Sequence, residues 1–355
     1  MSLIGSLLSL PYMVLFFFVW IIASLFRPVL VACLLACLYN PLATLRKTKL
    51  VITAIQYLVG CHDKKWKEPE GDPRSSFTGD VEVETKTVVF VRHGESTWND
   101  TFNKGDRPKM SFVLNFIPNL IYAICMEWYF FVSGKDSESW FYDAPLSEKG
   151  LNQAIGVHSF LQSSLEYKTP REVELIKLML GTSAGSSQLV SSNLRRAIST
   201  MAIGFQERLS RTGDVMLILP QLQEISRNPD ALSITPPHGS VVPSWTDPDY
   251  LKPILTKHVD TTMHTGNKPI NSNGLKRMQA FCQVVFDDID KDCIIAAGHS
   301  LWFRAFFRTY LPRELEHVAK KNKLINGGCV AFVLKRRGKD YMIDPSSITV
   351  LHGGF

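Results

Sequence analysis

At 355 residues and 45% hydrophobic content, the chain is long enough for one large catalytic domain plus extra segments, and its apolar share excludes disorder as a general state. Its net charge of +6 is spread along the chain rather than gathered into a basic tract, which gives nucleic-acid binding no support. Seven cysteines form no CxxC pair and no close Cys/His cluster, so neither zinc nor a disulfide framework is indicated and a reducing compartment fits.

In chain order, Met1 to Phe26 carries no charged residue and is long enough to cross a bilayer as a helix. A second uncharged run, Pro28 to Leu45, follows at once, and a third, Leu50 to Cys61, lies after Arg46, Lys47 and Lys49. A cleaved signal peptide would want a basic start and a shorter apolar centre. The expectation is therefore a membrane anchor over 1–61, either a single transmembrane helix or a helical hairpin bent at Arg27 and Pro28. Arg46, Lys47, Lys49, Lys64, Lys65 and Lys67 all follow the apolar block and nothing basic precedes it, so either topology places the downstream domain in the cytoplasm.

Residues 62–83 are charged and rich in Pro, Gly and Ser, the composition of a solvated linker. A catalytic domain is expected over 84–355. It opens on Lys86 to Val91, a short apolar and β-branched run that predicts a buried strand. Gln188 to Ser191, Val215 to Leu219, Cys293 to Ala297 and Cys329 to Leu334 predict further strands. Ser147 to Leu165 and Leu194 to Leu209 repeat apolar residues every three or four positions and predict helices. Strands alternating with helices imply an α/β fold, a three-layer sandwich with a mostly parallel sheet and helices on both faces. One segment stands apart: Phe112 to Val132, inside an apolar insertion spanning about 101–142, has Glu127 as its only charge. It reads as a buried helix, a hydrophobic contact or an interfacial segment lying on a bilayer with Trp128 and Tyr129 at headgroup level.

Directly after the first predicted strand stands Arg92-His93-Gly94-Glu95-Ser96-Thr97-Trp98-Asn99, a histidine and an arginine at a strand's carboxyl end, where α/β sheets collect their active sites. This stretch resembles the signature of the histidine phosphatase superfamily, which includes the cofactor-dependent phosphoglycerate mutases. The likeness continues in order through Asp143-Ala144-Pro145-Leu146-Ser147-Glu148-Lys149-Gly150-Leu151-Asn152-Gln153-Ala154, then Ser192-Asn193-Leu194-Arg195-Arg196-Ala197-Ile198-Ser199-Thr200, Leu222-Gln223-Glu224 and Gly298-His299-Ser300. Its register selects Arg196 rather than Arg195.

The resemblance implies a phosphoglycerate mutase-like sandwich and a phosphohistidine on His93. Neighbouring guanidinium groups disfavour a protonated His93 and leave a ring lone pair for in-line attack. Arg92, Arg196 and His299 would clamp the phosphoryl oxygens, a task in which they replace a metal, so neither metal nor cofactor is expected. Glu224 is the candidate proton donor and later the base for water. Ser96, Asn99 and Ser300 are implied substrate contacts, and Ser300 stands where the acid-phosphatase branch has Asp. Seven other histidines sit in no motif and read as surface or core residues. After Glu224 the glycine common in mutases is missing, and His93 and Asp143 lie farther apart than the family usually has them. The resulting expectation is a membrane-anchored phosphatase acting on a phosphorylated small molecule or lipid-like substrate, with a mutase and a catalytically silent phosphate-binding scaffold as alternatives.

Overall fold

The computed structural model describes residues 24, 27, 31–78, 82–105, 107–163, 165, 166 and 168–355; the expected crossing over 1–26 lies almost wholly outside them. Eight strands form one sheet: β1 (Glu84–Arg92), β2 (Ser187–Ser191), β3 (Met216–Ile218), β4 (Val259–Asp260), β5 (Cys293–Gly298), β6 (Cys329–Arg337), β7 (Asp340–Ile343) and β8 (Thr349–His352). The order is β4-β3-β2-β5-β1-β6-β7, with β8 also pairing β6. From β4 through β1 all pairs are parallel, whereas β6 runs antiparallel to β1, β7 and β8.

The principal helices are α1 (Pro41–Gly60), α2 (Thr97–Phe102), α3 (Lys109–Val132), α4 (Glu148–Leu161), α5 (Pro170–Leu180), α6 (Arg195–Gly204), α7 (Gly274–Gln283) and α8 (Ser300–Tyr310). The central strands are hydrophobic on both faces, because the pleat sends alternate side chains to opposite sides. Val89, Val91, Ile295 and Ala297 enter one core with residues of α4, α5 and α6. Val88, Phe90, Ile294 and Ala296 enter the other with residues of α7 and α8. Phe90 anchors that second core, stacking on Phe303 with ring centroids 4.1 Å apart. The result is a mixed α/β sandwich of three layers.

The five predicted strands are β1, β2, β3, β5 and β6; the short β4, β7 and β8 carry too few residues to show a pattern. The helix expected over 194–209 is broken at Phe205, where α6 gives way to a second short helix from Gln206. The apolar segment forms α3, but it is no core helix, since its buried side chains are Ala123, Phe130 and Phe131. Among the described residues it is the one helix long and apolar enough to cross a membrane by length and composition. Its carboxyl-terminal part lies against α1 and the helical residues 31–39 before it. Lys47 pairs with Glu127 at 2.9 Å, Arg46 reaches Asp136 at 3.5 Å, and the Tyr39 hydroxyl donates to the Val132 carbonyl at 3.1 Å. Glu127 is thus a staple, with Oε2 on Lys47 and Oε1 accepting the Trp140 N–H at 2.7 Å and the Ser139 hydroxyl.

Candidate active site

Three adjacent parallel strands, β2, β5 and β1, end at one rim of the sheet, and the residue after each is polar: Ser192, His299 and His93. The ladders continue one residue past the strands. The His93 N–H donates to the Gly298 carbonyl at 3.1 Å, and the Ser192 N–H donates to the Ala297 carbonyl at 3.0 Å. The main chain at His93 is pinned further, because its carbonyl accepts from Asn326 Nδ2 at 2.9 Å and the Gly94 N–H donates to Thr200 Oγ1 at 3.0 Å. Gly94 and Gly150 are glycines because two chain segments touch there. A Cβ on Gly94 would stand 2.3 Å from the Gly150 carbonyl oxygen, and one on Gly150 would stand 1.9 Å from that of Glu95.

The His93 ring is buried, with Nδ1 at 2.5 Å from the Gly94 carbonyl oxygen. A carbonyl can only accept, so Nδ1 carries the hydrogen and Nε2 keeps its lone pair. Arg196 Nε lies 3.3 Å from that Nε2. Burial, then the charges of Arg196 and Arg92, hold the imidazole well below the ordinary histidine value, so the ring is neutral. His299 lies beside it, with ring centroids 4.9 Å apart. His299 Nε2 is 2.8 Å from Ser192 Oγ, while its buried Nδ1 has no hydrogen-bond partner among the described residues. Burial, Arg196 and His93 likewise lower its basicity strongly.

Arg196 is the second residue of α6, and the next turn supplies Thr200, whose hydroxyl donates to the Arg196 carbonyl at 2.7 Å and accepts the Gly94 N–H. Its guanidinium is fixed from behind by Asp230, through the main-chain oxygen at 2.5 Å and the carboxylate at 3.4 Å. Burial raises the Asp230 carboxyl to about 6, opposed by Arg196 and reinforced by Glu224. Arg195 turns away, donating to Glu138 at 2.8 Å and to the Asp143 carbonyl at 3.2 Å. Asp143 adopts φ 47, a left-handed conformation, and its carboxylate accepts the Arg195 N–H at 3.0 Å and the Ile234 N–H at 2.8 Å. Those bonds offset the local strain and fix the turn that presents Arg196.

Arg92 donates to the Leu324 carbonyl at 2.6 Å and acts on His93 through its charge. Glu224 is buried, with Oε1 accepting the Ile225 N–H at 2.9 Å and the Trp302 N–H at 3.1 Å. It therefore caps α8, the helix that opens one residue after His299, while Oε2 makes no hydrogen bond among the described residues. Electrostatically it belongs to the same cluster, since Asp230 feels Arg196 and Glu224, and Lys323 feels Arg92 and Glu224. The geometry brings together His93, Arg196 and His299, with Arg92 and Glu224 within electrostatic reach of the cluster.

Ser96 and Asn99 are engaged locally instead. Ser96 Oγ caps α2 by accepting the Asn99 N–H at 3.2 Å, and Asn99 Oδ1 accepts from Asn103 Nδ2 at 2.8 Å. Ser300 is buried at the start of α8. Two residues that no motif marked complete the rim, Asp230 on Arg196 and Asn326 on His93. Ser192, on His299, opens the motif that carries Arg196, although no role was assigned to it. No group of three or more His, Cys, Asp or Glu able to hold a metal occurs among the described residues.

No family model matches the chain, and no curated protein matches it. Solved structures with partial likeness include the α-ribazole phosphatase of Shigella flexneri, at 13% identity and TM-score 0.34, covering 76% of this chain and 98% of that one. A mycobacterial glucosyl-3-phosphoglycerate phosphatase in complex with VO3 has 14% identity and TM-score 0.36, over 76% of this chain and 100% of that one. A phosphoserine phosphatase mutant from Entamoeba histolytica in complex with phosphoserine has 16% identity and TM-score 0.33, over 72% and 94%. Scores this low carry no argument about activity, and the fold rests on the sheet order described above.

Proposed function

We propose that the chain is a phosphomonoesterase that works through a phosphohistidine on His93. The observation that carries this reading is the neutral, buried imidazole whose Nε2 lone pair faces a guanidinium at 3.3 Å. Nε2 attacks phosphorus, the ester P–O bond breaks, and the departing oxygen takes a proton from Glu224. The Nδ1–H bond to the Gly94 carbonyl supports the positive charge the ring acquires. Arg92, Arg196, His299 and the amino-terminal end of α8 stabilise the charge on the phosphoryl oxygens. Glu224 then takes a proton from water as it attacks phosphorus, the P–N bond breaks, and phosphate leaves.

The same reading places the protein on a membrane with its rim toward the cytoplasm and an amphiphilic phosphate as substrate. Support comes from α3, which begins sixteen residues after His93 and exposes Met110, Leu114, Ile117, Ile121 and Trp128 to the surroundings. Such a row is costly in water and suits a bilayer interface. Full-length protein assayed on water-soluble and amphiphilic phosphomonoesters, with His93→Ala as control, tests both halves. Release of phosphate that His93→Ala abolishes is expected, with higher kcat/KM on amphiphilic esters in vesicles. Release that His93→Ala leaves intact overturns the phosphatase reading, and phosphate transfer to a second hydroxyl in place of water would make the protein a mutase.

A further inference from the structure

Asp63 lies in the 62–83 stretch whose composition is that of a solvated linker, yet it is fully buried. Its Oδ2 accepts from Lys268 Nζ at 2.8 Å and Arg277 Nη2 at 2.6 Å, and its Oδ1 from Arg277 Nε at 3.2 Å and Ser272 Oγ at 3.1 Å. The same two cations hold the loop that carries Glu224. Lys268 Nζ donates to the carbonyls of Glu224 and Ser226, each at 2.5 Å, and Arg277 Nη1 donates to those of Gln223 at 2.5 Å and Gln221 at 3.2 Å. Four carbonyls of one loop thus converge on two buried cations that share a single carboxylate, Asp63. From α1, the Tyr57 hydroxyl donates to the Lys268 carbonyl. The docking is close: a Cβ on Gly274 would lie 3.2 Å from the Asp63 carbonyl oxygen and 3.0 Å from Trp66.

A buried cation that loses its counter-charge either releases its proton or swings toward water, and in both cases the Glu224 loop loses donors. Burial alone would raise the Asp63 carboxyl, but Arg277 and Lys268 outweigh it and hold the group below the ordinary value, so the carboxylate is ionised. We propose that Asp63 is a positioning residue of the active site: through Lys268 and Arg277 it sets the place of the Glu224 carboxylate, so the segment entering from α1 belongs to the catalytic apparatus. This rests on Glu224 being the proton donor.

The test compares two esters in the full-length chain. Hexyl phosphate needs a proton on its departing oxygen, whereas 4-nitrophenyl phosphate does not. Asp63→Asn should lower kcat/KM on hexyl phosphate about 10- to 100-fold, the scale of a misplaced catalytic group, and change it on 4-nitrophenyl phosphate by no more than about threefold. General loss of folded protein would lower both equally. Should Asp63→Asn fail to fold, Ser272→Ala and Tyr57→Phe, which keep both cations paired, must show the same selective loss at a smaller size. Glu224→Gln is run alongside. If it shows no preference between the esters, the donor role of Glu224 fails independently of Asp63. If Glu224→Gln discriminates and none of the Asp63, Ser272 and Tyr57 variants does, the positioning role is overturned.

Discussion

At the strand-end rim His93, Arg196, Asp230 and His299 are all buried, whereas along α1 and α3 Leu42, Val59, Met110 and Leu114 stand in the open. The two regions place the wrong chemistry on the wrong side for a protein surrounded by water alone. At the rim the expense of burying polar groups is met by fixed partners, Asp230 for the Arg196 charge, Ser192 for the His299 ring and the Gly94 carbonyl for the His93 ring. On the flank Leu114 is 69% and Val59 82% exposed among the described residues. Buried charge that persists marks a candidate site, and exposed apolar side chains in a row mark a surface suited to a protein partner or a membrane interface.

The contrast breaks most plainly at the nucleophile. His93→Ala should lower kcat by about 10⁴-fold or more, since a nucleophile's loss leaves only binding and electrostatic assistance; a smaller loss in steady-state assays would move the chemistry elsewhere. Arg196→Met should cost about 10²- to 10³-fold in kcat, the usual range for one charge-stabilising donor, with little change in circular dichroism. On the flank side, Glu127→Ala removes the carboxylate partner of Lys47, which keeps only the Glu138 carbonyl, and leaves the Trp140 N–H without its acceptor; it should destabilise by about 1–3 kcal/mol, read by denaturant melts with activity per folded molecule preserved.

Acid–base behaviour sharpens the rim side. The folded chain holds the Asp230 proton up to about pH 6, while an unfolded aspartic acid releases it near 3.8. That carboxyl therefore supports folding in acid, and its contribution is lost as the pH rises from about 4 to about 6. Asp230→Asn removes the dependence, so its Tm relative to the parent should improve across that window; a difference that stays flat would contradict a raised Asp230. The smallest effect belongs to the open face of α3. Leu114→Ser with Ile117→Ser should change unfolding free energy by no more than about 0.5 kcal/mol and leave turnover of water-soluble esters unchanged, while reducing sedimentation with anionic vesicles.

Much of the rim was legible in the sequence because its residues follow strands whose apolar runs are unbroken: Val88 to Val91 before His93, and Ile294 to Ala297 before His299. Arg196 could be told from Arg195 by register, and the structure shows the physical difference, one guanidinium on His93 and the other on Glu138. The supporting layer was illegible. Asp63 and Lys268 are 205 positions apart, and the Pro, Gly and Lys around Asp63 have the composition of a tether, so nothing local announced a buried ion pair. Asp230 sits in a single 3-10 turn, Pro229–Ala231, too short to show periodicity, and its meaning comes from Arg196. Ser96 and Asn99, expected as substrate contacts, have local bonds that the motif did not announce: Ser96 caps α2, and Asn99 bonds Asn103 just past its end.

The most direct test of the central claim is rapid quenching of full-length protein with a ³²P-labelled phosphomonoester, followed by mapping of the label. The account predicts stoichiometric, acid-labile and alkali-stable phosphate on the Nε2 of His93, formed faster than steady-state turnover and absent in His93→Ala. Competent turnover with no label on His93 at any time, or with the label on another residue, would contradict it.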